Sequence, residues 1–319
     1  GRARGRASCH RRYREVVMEI LVKALAMVAI IALAVGLKKV GLLRVTDFRV
    51  LSTLVLWVTL PAALLTAFNG FALDPALLVL TGLAVGLNTL QQVIGFLLAR
   101  RQGRPAQAFA VLNSGSYNIG AFSTPYLAGI IGPQAMVFST MFDIGAAFST
   151  AGSGYAWGTV LVEPPRRGRM RRVVQAVFRS PVFLTYLLLV GLMISRVRLP
   201  DPVLTLTSTV GAANPYLAMT MIGVGLELRL PASAIRRAAR MLAVRYAIAL
   251  LATGAVWLWL PMAAEIRTIV CMLMFAPMAS MLTALTGRLG MDVELSAFMT
   301  SVTIVIGIIA MPAVLLLLN

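Results

Sequence analysis

One stretch of the chain gathers most of the side chains able to hold a small polar ligand. It reads NSGSYNIGAFSTP and runs from Asn113 to Pro125. Asn113, Ser114, Tyr117 and Asn118 supply amide, hydroxyl and phenol groups, while Gly120 and Pro125 are residues that interrupt a helix. The surrounding sequence is apolar. In hydrocarbon every backbone N–H and C=O needs a partner, so irregular backbone survives only where it is buried in protein or lines water. A helix broken here would present free N–H groups at a positive dipole end and free carbonyls at a negative one. Such an N-terminus suits a carboxylate and requires no buried Arg or Lys. The competing reading is a proline kink in a packing interface of small residues.

A second, weaker stretch, APMASMLTALTG, spans Ala276 to Gly287 and offers Pro277 and Ser280 but no amide. Ser280 fits either a ligand contact or plain helix packing. Between the two stretches Asp143 sits in TMFDIGAAF. A carboxylate inside a membrane span is a functional hypothesis by default, here a proton carrier or a sodium ligand. Its alternative is a neutral Asp hydrogen-bonded to a neighbouring helix. Asn88, Gln91 and Gln92 read as interhelical hydrogen-bonding groups, and Glu19 with Lys23 as a snorkelling pair near a helix end.

Enzymatic chemistry finds little support. His10 is the one histidine and lies in an Arg-rich segment, so a histidine base or histidine-bound zinc is not expected. Cys9 and Cys271 form neither a disulfide framework nor a metal cluster. An intramembrane aspartyl protease needs a second membrane aspartate, and Asp47, Asp74, Asp201 and Asp292 all fall near span ends. The expectation is no enzyme, no metal and no cofactor beyond a coupling Na+ or H+.

The elements that position these groups follow from composition. Of 319 residues, 59% are hydrophobic and 13% charged, where a soluble domain carries about 25% charged residues. Membrane helices need about 20 largely apolar residues, and ten such runs are legible. They lie at about 19–37, 50–68, 76–99, 106–131, 134–161, 181–198, 202–226, 239–260, 266–287 and 292–318. A net charge of +18 is one mark of a nucleic-acid binder, but here the basic residues cluster in short segments between apolar runs, which points to a membrane instead.

Those clusters predict orientation. The connections after odd-numbered spans carry nineteen Lys and Arg residues, among them Lys38, Lys39, Arg100, Arg237, Arg245 and Arg288. The even ones carry three, Arg196, Arg198 and Arg267. Odd connections are therefore expected in the cytoplasm and both termini outside. Residues 1–17 are basic yet fall on the outer side, so they are read as an extension upstream of a start at Met18, the alternative being a genuine basic tail on lipid headgroups. The polar stretch at 163–180 then divides five spans at 18–162 from five at 181–319. Halves with an odd number of spans must be oppositely oriented, the inverted-repeat plan of many secondary transporters. LPAALL from Leu60 and NPYLAM from Asn214 occupy matching places, as do Pro125 and Pro277.

At these residues the chain resembles the auxin efflux carrier family. The resemblance covers residues 18–319 and rests on four pieces in order. They are LLRVTDFRVLSTLVLWVTLPAALL (Leu42 to Leu65), NIGAFSTP (Asn118 to Pro125), AANPYLAMTMIGVGLEL (Ala212 to Leu228) and FAPMASMLTALTGRLGMDVELSA (Phe275 to Ala297). It implies an all-α integral membrane fold of ten helices, as two inverted five-helix repeats with proline-broken helices 4 and 9 crossing. It also implies transport of organic anions, with the family's helix-4 asparagine at Asn118 and its crossover prolines at Pro125 and Pro277. Where many members carry an amide shortly after the second proline, this chain has Ser280 and Met281.

The expectation is a carrier for a small organic anion that works by alternating access of one helical bundle against another. A sodium- or proton-coupled antiporter or symporter, or a non-transporting sensor on the same fold, are the alternatives. Expected partners are the anion and membrane lipids, with no nucleic acid; the architecture suits a homodimer.

Overall fold

The computed structural model describes residues 2–71, 74–163, 171, 174–175, 178, 181–227 and 232–318. The expected linker at 163–180 lies mostly outside the described residues. Among those described there is no strand. In chain order the helices are α1 (Arg2–Lys39), α2 (Asp47–Ala67), α3 (Pro75–Ala99), α4a (Arg104–Ser114), α4b (119–130) and α5 (134–162). The second half continues with α6 (Pro181–Ser195), α7a (Asp201–Ala212), α7b (Asn214–Gly225), α8 (Ala232–Trp259), α9a (Ala264–Met274), α9b (Met281–Arg288) and α10 (Val293–Leu318).

Among the described residues, five helical stretches are long and apolar enough to cross a membrane: Met18–Lys39, Asp47–Ala67, Pro75–Ala99, Ala234–Trp259 and Val293–Leu318. At 1.5 Å per residue, 20 residues reach about 30 Å, the thickness of a hydrocarbon core. Their outer faces are apolar where a soluble protein would be polar: Leu251, Trp259 and Leu317 are among the exposed large side chains. This is an all-helical membrane protein.

Two groups of helices form the molecule. In the first, α1 packs along α7b, while α2 packs against both α7a and α7b and touches α6. In the second, α3 packs between α4a and α5, α8 packs on α9a, and α10 backs both α9a and α9b. The groups meet where α4b touches α1 and α7b, and where α2 and α6 reach α5. Small residues allow the closest approaches. A Cβ at Gly145 in α5 would stand 2.2 Å from the Thr81 carbonyl oxygen of α3, and one at Gly223 in α7b would stand 2.5 Å from that of Ile31 in α1.

Polar groups stitch the first group together. Lys38 Nζ donates to the carbonyls of Val224 and Leu226 at 2.9 Å each, capping the end of α7b, where a cation meets the negative end of a helix dipole. Thr59 Oγ1 donates to Asn214 Oδ1 at 2.9 Å, so the two segments that match in sequence, Leu-Pro and Asn-Pro, touch in space. The expected seventh span is not one helix. Pro215 lacks an N–H, and the chain breaks into α7a and α7b at Ala213.

Two further expectations change. The eighth span begins at Ala232, earlier than the apolar run at 239, so Arg236, Arg237, Arg240 and Arg245 belong to a helix and not to a connection. The interruption in the fourth span lies at residues 115–118 and not at Pro125. Gly115 takes a non-helical conformation there, and the helix has resumed, with a wide π-type turn over Ile119–Ser123, before Pro125 is reached. The wider turn shifts the hydrogen-bonding pattern ahead of a residue that has no N–H to donate.

Candidate functional site

The two interrupted helices come together at their gaps. The backbone N–H of Asn118 donates to the Pro277 carbonyl at 2.8 Å. The Asn118 side chain adds a bond of 2.9 Å from Nδ2 to Ser280 Oγ. Asn118 thus reaches the second gap through both its backbone and its amide. The second gap, residues 275–280, is held from behind by α10, where Thr303 Oγ1 accepts the Met278 N–H at 3.0 Å. Gly307 in α10 leaves room for the Pro277 ring, which would lie 3.2 Å from a Cβ there.

A cavity of about 810 Å³ opens beside this junction, between the two helix groups. Its floor is Tyr117, Asn118, Ile119, Gly120 and Ala121 from the first gap, with Ala279, Ser280 and Met281 from the second. Phe48, Ser52 and Leu56 of α2 and Met221 of α7b form the facing wall. Binding cavities for small molecules fall in the range of about 300–1,000 Å³, mostly apolar with a few convergent polar groups, and this one matches that description.

The start of α4b and the start of α9b both lie on the cavity floor. The first four N–H groups of a helix have no acceptor within it, and the dipole makes that end positive. Two positive helix ends therefore border one space, and at the start of α4b the Gly120 N–H is directed to the Asp143 carboxylate. Both are suited to a carboxylate.

Asp143 also lines the cavity, and its carboxylate accepts a hydrogen bond from the Tyr186 hydroxyl of α6. Asp143 is 5% exposed and joins the second helix group to the first. Gly120 is packed against this pair; a Cβ there would lie 2.8 Å from Asp143 Oδ2 and 3.0 Å from the Tyr186 hydroxyl.

Of the residues singled out from sequence, Tyr117, Asn118, Gly120, Asp143 and Ser280 share the cavity. Asn113 does not line it. Its Oδ1 accepts from Ser296 Oγ at 2.7 Å and its Nδ2 donates to Thr286 Oγ1 at 3.2 Å, fastening α4a to α9b and α10. Ser114 lies on the other side of the gap, close to Gly95 of α3. Both precede the break, so their helical turn points them away from a cavity that begins after it. Pro125 and Pro277 are buried supports. On α3, Gln91 donates to the hydroxyl of Tyr117 in the gap at 2.9 Å, and Gln92 donates between helices to the Ser149 carbonyl of α5 at 3.1 Å. Asn88 instead donates to Ala84 of its own helix.

Sequence reasoning missed one central group. Arg245, counted among connection charges, is 3% exposed in the middle of α8. Its guanidinium donates to the carbonyls of Ser114 at 3.1 Å, Ser116 at 2.8 Å and Ala276 at 3.0 Å. It also sits over the Tyr117 ring, 4.5 Å from the centroid. The sequence was read as needing no buried Arg or Lys for an anion at the crossing, and a buried cation nevertheless stands beside it. The available signal was position: Arg245 follows Met241-Leu242-Ala243-Val244 and precedes a long apolar run, deeper than a snorkelling residue at a span edge.

Comparison with protein-family models returns no match, and comparison with curated proteins returns none.

Proposed function

We propose that the protein is a membrane carrier for a small organic anion, which it holds by a carboxylate at the crossing of the two interrupted helices. The single observation that carries this reading is the junction of Asn118 with Pro277 and Ser280, on the floor of a cavity that separates two helix groups. Two helix N-termini meeting at a membrane's mid-depth form an anion site with no cost of burying a further ionised side chain. The Asn118 amide and Ser280 hydroxyl add polar contacts that orient the ligand, and the apolar wall from α2 accommodates its body.

The proposed architecture is ten spans in two inverted repeats, with α4a/α4b and α9a/α9b as the crossing pair. The match between Leu60-Pro61 and Asn214-Pro215, and their contact through Thr59 and Asn214, supports such a pairing of halves. Alternating access then moves the group containing α3, α4, α5, α8, α9 and α10 against the group containing α1, α2, α6 and α7. The cavity lining runs from the crossing out to Glu163, Gln175 and Arg288, all beside odd-numbered connections. On the reading that those connections are cytoplasmic, the cavity opens to the inner side, as an inward-open carrier would. Asp143, bonded across the two groups to Tyr186, is the group proposed to carry a coupling proton.

Uptake of labelled mono- and dicarboxylates into proteoliposomes tests the proposal. The expected result is flux of at least one anion that falls at least tenfold in Asn118→Ala. Equal flux in Asn118→Ala removes the site, and saturable binding with no flux in any gradient identifies a sensor.

A further inference from the structure

An interrupted pair of helices creates two kinds of end. The N-terminal ends face the cavity; the C-terminal ends carry carbonyl groups with no partner in their own helix and a negative dipole. Converging carbonyls of this kind are the ordinary coordination set for a sodium ion at the unwound segments of transporters. In this chain the carbonyls of Ser114, Ser116 and Ala276 converge from both gaps, and the Arg245 guanidinium fills the space between them.

We infer that Arg245 is a built-in cation that takes the place of a metal cation at the carbonyl side of the crossing, so that the crossing holds its anion without a co-bound sodium. This rests on the reading of the crossing as an anion site.

Three features carry it. The guanidinium is a fork of fixed donors, and here two of its nitrogens reach three carbonyls from two separate gaps. The group is 3% exposed and reaches this depth from the middle of α8, about 20 Å along the helix from its start at Ala232. Its partners are carbonyl dipoles and the face of Tyr117, which balance the charge without neutralising it. The net positive charge left at the crossing adds to the two helix N-termini on the cavity side, so the electrostatic work of a coupling cation is already done by the chain. Tyr117 conveys this to the cavity: one ring both lies beneath Arg245 and lines the cavity floor.

The test uses purified full-length protein and thermal unfolding, with no carboxylate present. Wild-type protein is compared in sodium chloride and in N-methyl-D-glucamine chloride at matched ionic strength. The expected midpoints coincide; a sodium-specific, saturable rise in the wild type overturns the inference, whatever the variants do. Arg245→Ala is expected to melt lower and to recover at least half of the loss with millimolar methylguanidinium, and part of it with sodium. Arg245→Lys is expected to melt between the two and to gain nothing from methylguanidinium. An Arg245→Ala protein that melts with the wild type, or that folds but ignores both cations, overturns the inference. Should Arg245→Ala fail to fold, the wild-type comparison and Arg245→Lys decide. A wild type that ignores sodium and also ignores every carboxylate would retain the Arg245 role and reject the anion carrier instead.

Discussion

Asn118 and Ser280 stand 162 positions apart in the chain, and the amide of one donates to the hydroxyl of the other at 2.9 Å across the two helix gaps. A net contribution of about 1 kcal/mol is typical of one such bond. A double-mutant cycle with Asn118→Ala, Ser280→Ala and the double variant should give a coupling of about 0.5–1.5 kcal/mol in unfolding free energy. Strict additivity would show that the two gaps do not hold one another. Ser280→Ala should also weaken anion binding less than Asn118→Ala, because the Asn118 amide carries two N–H donors and Ser280 a single hydroxyl.

Two glycines near the crossing separate packing from site chemistry. A Cβ at Gly115 would lie 2.3 Å from the Asn88 backbone oxygen, and backbone of a packed helix cannot yield locally. At Gly120 the obstacle is the ends of Asp143 and Tyr186, which can swing. Gly115→Ala is therefore expected to destabilise the fold by about 1–3 kcal/mol or more, as overpacking does. Gly120→Ala should cost clearly less stability yet impair anion transport by displacing the Asp143 carboxylate. Comparing melting midpoints with proteoliposome flux distinguishes the two, and a reversed order would contradict the assignment.

Asn113 offers the opposite contrast. It was a ligand residue by composition, but it binds Thr286 and Ser296 away from the cavity. Asn113→Ala should destabilise by about 1–3 kcal/mol, the cost of leaving buried polar partners unpaired, while the affinity for any transported anion stays within about twofold of wild type. A tenfold loss of affinity, at a temperature where the variant is folded, would return Asn113 to the site.

How far the site was legible can be judged on these residues. The spans of α1, α2, α3 and α10 follow from long, largely apolar runs, which leave few alternatives in a bilayer. The cluster from Tyr117 to Gly120 was found because polar side chains and glycine are costly in a membrane helix unless they face a cavity or a partner. Which polar residues face the cavity depends on where the helix stops. The stop at 115–118 comes from tertiary support, with Gly115 pressed against Asn88 and Asn118 bonded to Pro277, and not from the proline that marks the segment in sequence. Arg245 escaped because it was counted with the basic residues of the preceding connection, although it stands inside the apolar run at 239–260, and α8 carries it to mid-helix. The Tyr186 partner of Asp143 lies in the other half of the chain, and no local pattern announces such a contact.

Asp143 has the geometry of a coupling group, since its carboxylate lines the cavity while bonded to Tyr186 of α6. Asp143→Asn keeps the shape and loses the titratable proton. Uptake by this variant is expected to lose its response to an imposed pH gradient while anion binding at fixed pH persists. A variant that responds to the gradient as the wild type does would assign coupling to another group. Tyr186→Phe should keep the gradient response but alter its pH midpoint, because it removes only the hydroxyl donor.

The most direct measurement is thermal unfolding of the purified wild type and Asn118→Ala against paired ligands, each carboxylate set beside its own uncharged amide, for example benzoate and benzamide. Ligands that bind the folded state raise its midpoint in proportion to occupancy. The account predicts that at least one carboxylate raises the wild-type midpoint in a saturable way, that its amide does not, and that the shift is lost in Asn118→Ala. A wild type stabilised equally by acid and amide, or an Asn118→Ala variant that retains the full shift, would contradict an anion site at the crossing of the two interrupted helices.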